Sequence, residues 1–152
     1  MNAKRKGMAL EAKILTDLLN CDCAVSTPWG DTERYDLIAD VDGTMLRIQV
    51  KASRTRNNGD TFEFDCRSNH YTSKGIKHMY YSADDIEYFA TAFGDQSYLV
   101  PISECGSAKC LRVVKSNNNQ QRRISSAAEY ELEKVIENIR KGGVNNGQAG
   151  GI

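Results

Sequence analysis

RYDLIADVDGTMLRIQVKAS, residues 34–53, decides how the rest of the chain is read. Asp42-Gly43 is the strongest short hairpin signal, because both positions of the favoured two-residue turn need a positive φ. It separates a first strand over 34–41 from a second over 44–53. In the second strand Leu46, Ile48 and Val50 point one way, and Arg47, Gln49 and Lys51 the other. Asp36 lies early in the first strand, where the hairpin brings it near Gln49 and Lys51. A solvent-facing hairpin would account for any one of these residues, since most lysines are solvated. It does not account for an acid, an amide and a lysine held in register.

Upstream, residues 5–20 read as a helix on the recurrence of Met8, Ala12, Leu15, Leu18 and Leu19. Glu11 falls within that stripe. A carboxylate facing a core is costly unless it is paired or holds a cation, although a position at the stripe's margin would let it reach water. Between helix and hairpin, CDCAVSTPWGDTE reads as a loop with a short strand near Ala24-Val25, and Trp29 as a packing residue or loop anchor.

Downstream, TFEFDC (61–66) alternates and reads as a third strand. Residues 67–81 are read as an irregular basic, aromatic segment. IEYFATAF (86–93) and SYLVPI (97–102) read as buried strands, CLRVVKS (110–116) as a short edge strand and residues 117–123 as a polar loop. Ser126 and Glu129 have capping-box spacing, so a last helix is expected from Ser126 with Leu132, Val135, Ile136 and Ile139 on its apolar side. The expected class is α/β, a mixed central sheet flanked by helices. One domain spans 1–141, followed by a flexible, glycine-rich tail over 142–152.

Glu11, Asp36, Gln49 and Lys51 thus converge from a helix and two strands. Phosphodiester hydrolysis needs oxygen ligands for a metal and benefits from a lysine near the attacking water or the phosphorane. Magnesium keeps several of its waters, so one or two carboxylates suffice.

The pattern Glu11 … Arg34-Tyr35-Asp36 … Gln49-Val50-Lys51 resembles the PD-(D/E)XK nuclease superfamily, in the branch where glutamine replaces the second acid, and especially a homing endonuclease encoded in a cyanobacterial group I intron. The resemblance covers roughly residues 5–102. It implies a restriction-endonuclease-like core of the type αβββαβ and Mg2+-dependent double-strand cleavage of DNA, with Mn2+ substituting. It implies that Asp36 and Glu11 bind metal together with the Val50 backbone carbonyl, and that Lys51 is the catalytic lysine. Gln49 stands at the usual second acid and departs from the pattern. A neutral amide leaves more of the cation's charge to Asp36 and Glu11, while still able to offer an oxygen or position water.

The 152 residues are 40% hydrophobic and 26% charged, with formal net charge zero and five cysteines. A chain of this size fits one soluble domain. It lacks an uninterrupted apolar run of about 18 residues for a membrane span. The odd cysteine count and charged N-terminus point to a reducing cytoplasm rather than export. A zero net charge alone argues against nucleic acid, but charge is segregated. Residues 46–80 carry seven bases against three acids, and 105–123 five bases and no acid. Candidate contacts to double-stranded DNA are Lys4, Arg5 and Lys6 as a basic arm. Further candidates are Arg54, Arg56 and Asn57 beyond the second strand, with Lys74, Lys77, Arg122 and Arg123 toward phosphates. Each is also an ordinary surface residue on its own. Cys21-x-Cys23 and Cys105-x₄-Cys110 lack finger spacing and read as buried thiols rather than zinc ligands. His70 and His78 have no neighbour in sequence that marks them as a base.

Cutting both strands at one long site needs two active sites. A homo-oligomer, dimer or tetramer, is therefore expected, with contacts through the last helix or residues 105–123. Two other readings stay open: a structure-specific nuclease of the Holliday junction resolvase kind, and an inactive DNA-binding protein of the same fold.

Overall fold

Helix α1 (Ala3–Asn20) is followed by strand β1 (Ala24–Ser26) and then by the expected hairpin, β2 (Leu37–Val41) and β3 (Thr44–Val50). The computed structural model describes residues 1–114 and 124–150, with side chains through residue 142. Asp42 and Gly43 both have positive φ, 51° and 96°, as the two-residue turn requires. The strands pair from Leu37↔Ile48 to Val41↔Thr44.

Strand β3 then pairs in parallel with β8 (Tyr88–Phe93), which turns back at Gly94 into β9 (Gln96–Pro101). The central sheet runs β1-β2-β3-β8-β9 and is mixed, as expected. Its two faces bury different things. Leu37, Ala39, Val41, Leu46, Ile48, Ala90 and Leu99 pack with Ile14 and Leu18 of α1 and with Leu132, Val135 and Ile136 of α2 (Leu132–Gly150). Both helices therefore share one face. The other face is covered by a second sheet rather than by a helix. Its order is β11-β10-β5-β4, with β4 (Ser53–Arg56), β5 (Thr61–Asp65), β10 (Ala108–Arg112) and β11 (Ser125–Ser126). Phe62 and Phe64 of this sheet meet Phe89, Tyr98 and Val100 of the first.

Several expectations need correcting. The chain leaves the central sheet after Val50, so the strand read as 44–53 is two strands in two sheets. The stretch 67–81 is a regular antiparallel ribbon, β6 (Arg67–Thr72) and β7 (Gly75–Tyr80), turning at Ser73-Lys74. Ribbon and turn stand where the αβββαβ pattern places a helix. Helix α1 is rotated from the sequence reading: Ile14 and Leu18 are buried, whereas Met8 and Leu19 are exposed. Ser126 forms no side-chain cap; a single 3-10 turn, Ala127–Tyr130, follows it, and α2 begins at Leu132. The α2 backbone stays helical through Gly150, past residue 141; nothing in the glycine-rich sequence explains this. Trp29 is fully exposed and anchors nothing.

The seam between the sheets rests on Phe62, fully buried, its ring stacked on Phe93 with centroids 4.8 Å apart and tilted against Tyr98 at 5.1 Å. Phe62→Ala is expected to cost about 3–5 kcal/mol by chemical denaturation, because the cavity opens between two sheets that cannot both close over it.

Candidate active site

Parity in β3 sets the site. Because Leu46 and Ile48 face the helices, Gln49 faces the second sheet. Asp36, one residue before β2, is tied to this strand twice. Its N–H donates to the Ile48 carbonyl at 2.8 Å, and its Oδ2 accepts the Val50 N–H at 2.9 Å. The Gln49 amide, oriented by its neighbours, turns its nitrogen toward Asp36 Oδ2 (3.2 Å) and the Arg34 carbonyl (2.7 Å). Gln49 thus braces Asp36 as a donor, with its oxygen turned away from that carboxylate.

Glu11 enters from α1, three residues before Ile14 and seven before Leu18, on the helix face that meets the sheet. Glu11 and Asp36 line one open cleft of about 320 Å³, together with Pro28, Asp31, Glu33 and Tyr35. Burial, and next the charge of Asp36, push the Glu11 carboxyl above its ordinary range. Burial raises Asp36 as well, against the lowering effects of the Val50 N–H and of Lys51. Two carboxylates whose charged forms burial disfavours, opening on one acid-lined cleft, suit a hard divalent cation. Among the described residues no three His, Cys, Asp or Glu side chains group closely enough to hold a metal alone. Remaining ligands would be water and a carbonyl. The carbonyl of Val50, whose N–H already bonds Asp36, belongs to the same corner.

Lys51 lies where the chain crosses from one sheet to the other. Its N–H donates to the Ala90 carbonyl, and its Nζ donates to the Arg67 carbonyl at 2.9 Å. Burial lowers its pKa, while the charges of Asp65 and Asp36 oppose that shift. Nζ also lies 5.4 Å from the centroid of the Tyr81 ring. The same ring takes the Arg34 guanidinium at 3.8 Å. Arg34 is further fixed by Asp85 (2.9 Å), the Tyr80 carbonyl (2.7 Å) and Ser68 Oγ (3.2 Å). Sequence reasoning missed Tyr81 as a partner, and no local signal marks it; its partners lie 30 and 47 residues away.

Other expected residues lie elsewhere. Arg47 shares a face with Gln49 but is taken up by Glu87 (2.9 Å) and by the carbonyls of Ala83 and Asp84. Arg54 and Arg56 of β4 both pair with Glu63 of β5, at 2.7 and 3.0 Å, on a half-exposed ladder. Asn57 adopts positive φ in a turn and bonds Thr61 Oγ1. Lys4, Arg5 and Lys6 are no arm; they form the first turns of α1, capped by Asn2, whose Oδ1 accepts the Arg5 N–H at 2.9 Å. Lys74 and Lys77 are exposed on the ribbon. Arg122 and Arg123 lie outside the described residues. All five cysteines are free thiols, and Cys66 is buried with its Sγ donating to the Phe64 carbonyl at 3.9 Å.

Set against known proteins, residues 1–133 match the sequence pattern described as PD-(D/E)XK endonuclease. The fold superposes on that of a bacterial homing endonuclease, I-Ssp6803I, with a TM-score of 0.75. The two share 23% identity over 95% of this chain and 97% of that one, a likeness of fold. No curated protein matches.

The Glu11 shift makes a signed prediction. A carboxyl raised in the fold contributes stability below its unfolded pKa and loses it as pH rises through the folded one. In chelator-containing buffer, Glu11→Gln should therefore melt higher than the parent at about pH 8. The gap should close below the ordinary value of 4.5, where the carboxyl is protonated in both states. Added divalent ion should raise the parent's midpoint more than the variant's. A variant that melts lower at high pH would mean that Glu11 is favourably paired instead.

Proposed function

The chain belongs to the PD-(D/E)XK endonuclease family, and from that premise we propose that it is a sequence-specific homing endonuclease that hydrolyses both strands of DNA with Mg2+, Mn2+ substituting. Nucleases of this family generally use divalent metal ions. The observation that carries the proposal is that Glu11 and Asp36 line one cleft, while the half-buried Lys51 directly follows Val50, whose N–H holds the Asp36 carboxylate. The fold shared with a homing endonuclease along nearly the whole length of both chains supports the specific reading.

Glu11 and Asp36, with the Val50 carbonyl, would hold the cation. Bound there, it supplies charge neutralisation and acidifies a coordinated water. The protein's own groups do the rest. Gln49 and the Val50 N–H keep Asp36 turned toward the cleft. Lys51 is aimed by the Arg67 carbonyl and the Tyr81 ring, so it needs little reorganisation to orient the attacking water or to face the phosphorane as one P–O bond forms and another breaks. Cutting both strands calls for two such corners, so the active form is proposed to be a homo-oligomer.

The test uses a plasmid carrying a candidate intron insertion site, and a synthetic four-way junction. Linearisation at one site with Mg2+ is expected, falling at least about 100-fold in Asp36→Asn and Lys51→Ala. Junction cutting without plasmid cutting would instead assign a resolvase. A particle that light scattering reports as a single chain, yet still cuts both strands, would remove the oligomer from the proposal.

A further inference from the structure

The β6–β7 ribbon buries almost nothing of its own. From Asn69 to Thr72 and from Gly75 to Tyr80 every residue is exposed, Tyr71 at 81% and Tyr80 at 59%. The fold gains little from such a ribbon, so a partner has to account for its composition. Residues 66–83 contain Arg67, Lys74 and Lys77 with His70 and His78, and no acid.

Register sorts the side chains. Directly opposed residues share a face, so Arg67, Asn69, Tyr71, Ile76, His78 and Tyr80 lie on one side. Ser68, His70, Thr72, Lys77 and Met79 lie on the other. Asn69 and His78 bond each other at 2.8 Å, and Tyr71 opposes Ile76, so the first face is partly satisfied within itself. The second face is continuous with the site. Ser68 Oγ takes Arg34, and Arg34 stacks on the ring that also faces Lys51. The ribbon root is fixed from both sides, because the Arg67 carbonyl accepts Lys51 Nζ and the Tyr80 carbonyl accepts Arg34.

We propose that this ribbon is the sequence-reading element, lying in the major groove of B-form DNA with His70 and Lys77 toward base edges and Lys74, at its turn, on a phosphate. The proposal rests on the DNA-cleaving reading and names which part of the chain chooses the site. A two-stranded ribbon fits a groove about 12 Å wide, and six residues per strand reach about 20 Å from the root. Its cationic, acid-free composition complements the polyanion. A root bonded to Lys51 and Arg34 fixes the distance between the bases read and the bond cut.

The experiment binds the full chain, without divalent metal, to a pool of random-sequence 30-base-pair duplexes and sequences the retained fraction. The variants are His70→Ala/Lys77→Ala, Lys74→Ala and, as an off-ribbon control, Lys109→Ala. The ribbon side chains are exposed, so folding is expected to survive, and a thermal melt checks it. The double variant is expected to lose about tenfold in affinity and to flatten the retained motif at adjacent positions. Lys74→Ala should keep the motif and reduce the salt dependence by about one counterion. An unchanged motif at parental affinity in the double variant overturns the proposal; a second copy of the chain, seated on the Tyr71–Ile76 face, would then be the occupant. Cleavage plays no part in this readout. A chain that binds through the ribbon but never cuts would sink the hydrolytic reading and leave the ribbon assigned.

Discussion

Strand β3 can bury Ile48 only by turning Gln49 to the opposite face, and the site follows from that parity. Ile48 is fully buried under the helices, so its neighbours in sequence belong to the other layer. A one-residue slip in the pairing of β2 with β3 would place Asp36 and Gln49 among apolar side chains and lose the site and the core together. Asp42 and Gly43 hold the register with two positive φ values, and Asp36 closes the open end of the hairpin with its two bonds to β3. The geometry that buries the core is the geometry that aims the carboxylate.

Around that strand the electrostatics are arranged in opposition. The two carboxylates are held partly out of water with their charges disfavoured, and the lysine is held with its charge disfavoured as well. Such an arrangement costs the free protein stability at neutral pH, the opposite sign from a structural ion pair. Arg47 and Glu87 show the contrast within the same strand. Hydrogen bonds and charge from Glu87 raise the guanidinium, and against the raising effect of burial those from Arg47 lower the carboxyl, as in an ion pair that holds the fold. The Tyr81 ring takes two cations, Arg34 at 3.8 Å and Lys51 at 5.4 Å from its centroid.

The parts legible in the sequence are those with one buried face. The alternation of Leu46, Ile48 and Val50, the Asp-Gly turn and the runs at 86–93 and 97–102 carry their own periodicity. The α1 stripe was legible as a helix but not in phase, because Met8 and Leu19 are as apolar as Ile14 and yet exposed. Glu11 still came out on the sheet-facing side, since it lies one turn before Ile14. The β6–β7 ribbon was illegible for a physical reason: neither of its faces is buried, so no apolar alternation exists to be seen. The second sheet was illegible because β4, SRTR, is a polar, mostly exposed edge strand whose arginines pair with Glu63, so no apolar alternation marks it. Arg34, Arg47 and Tyr81 depend on partners 30 to 51 residues away, which no window on the sequence holds together.

The neutral total charge conceals rather than denies a nucleic-acid surface. Glu11, Asp31, Glu33 and Asp36 gather around one cleft, and the acid-free ribbon rises beside it. Summed, these charges cancel. The acids line the cleft and the ribbon's lysines lie on another element, so the zero total says nothing of either surface by itself. An acidic cleft alone would repel a phosphate backbone, and a basic ribbon alone would bind DNA without cutting it. Under the proposed reading the two meet at Lys51 and Arg34, where a polyanion drawn to the ribbon would lie beside carboxylates able to hold a divalent cation.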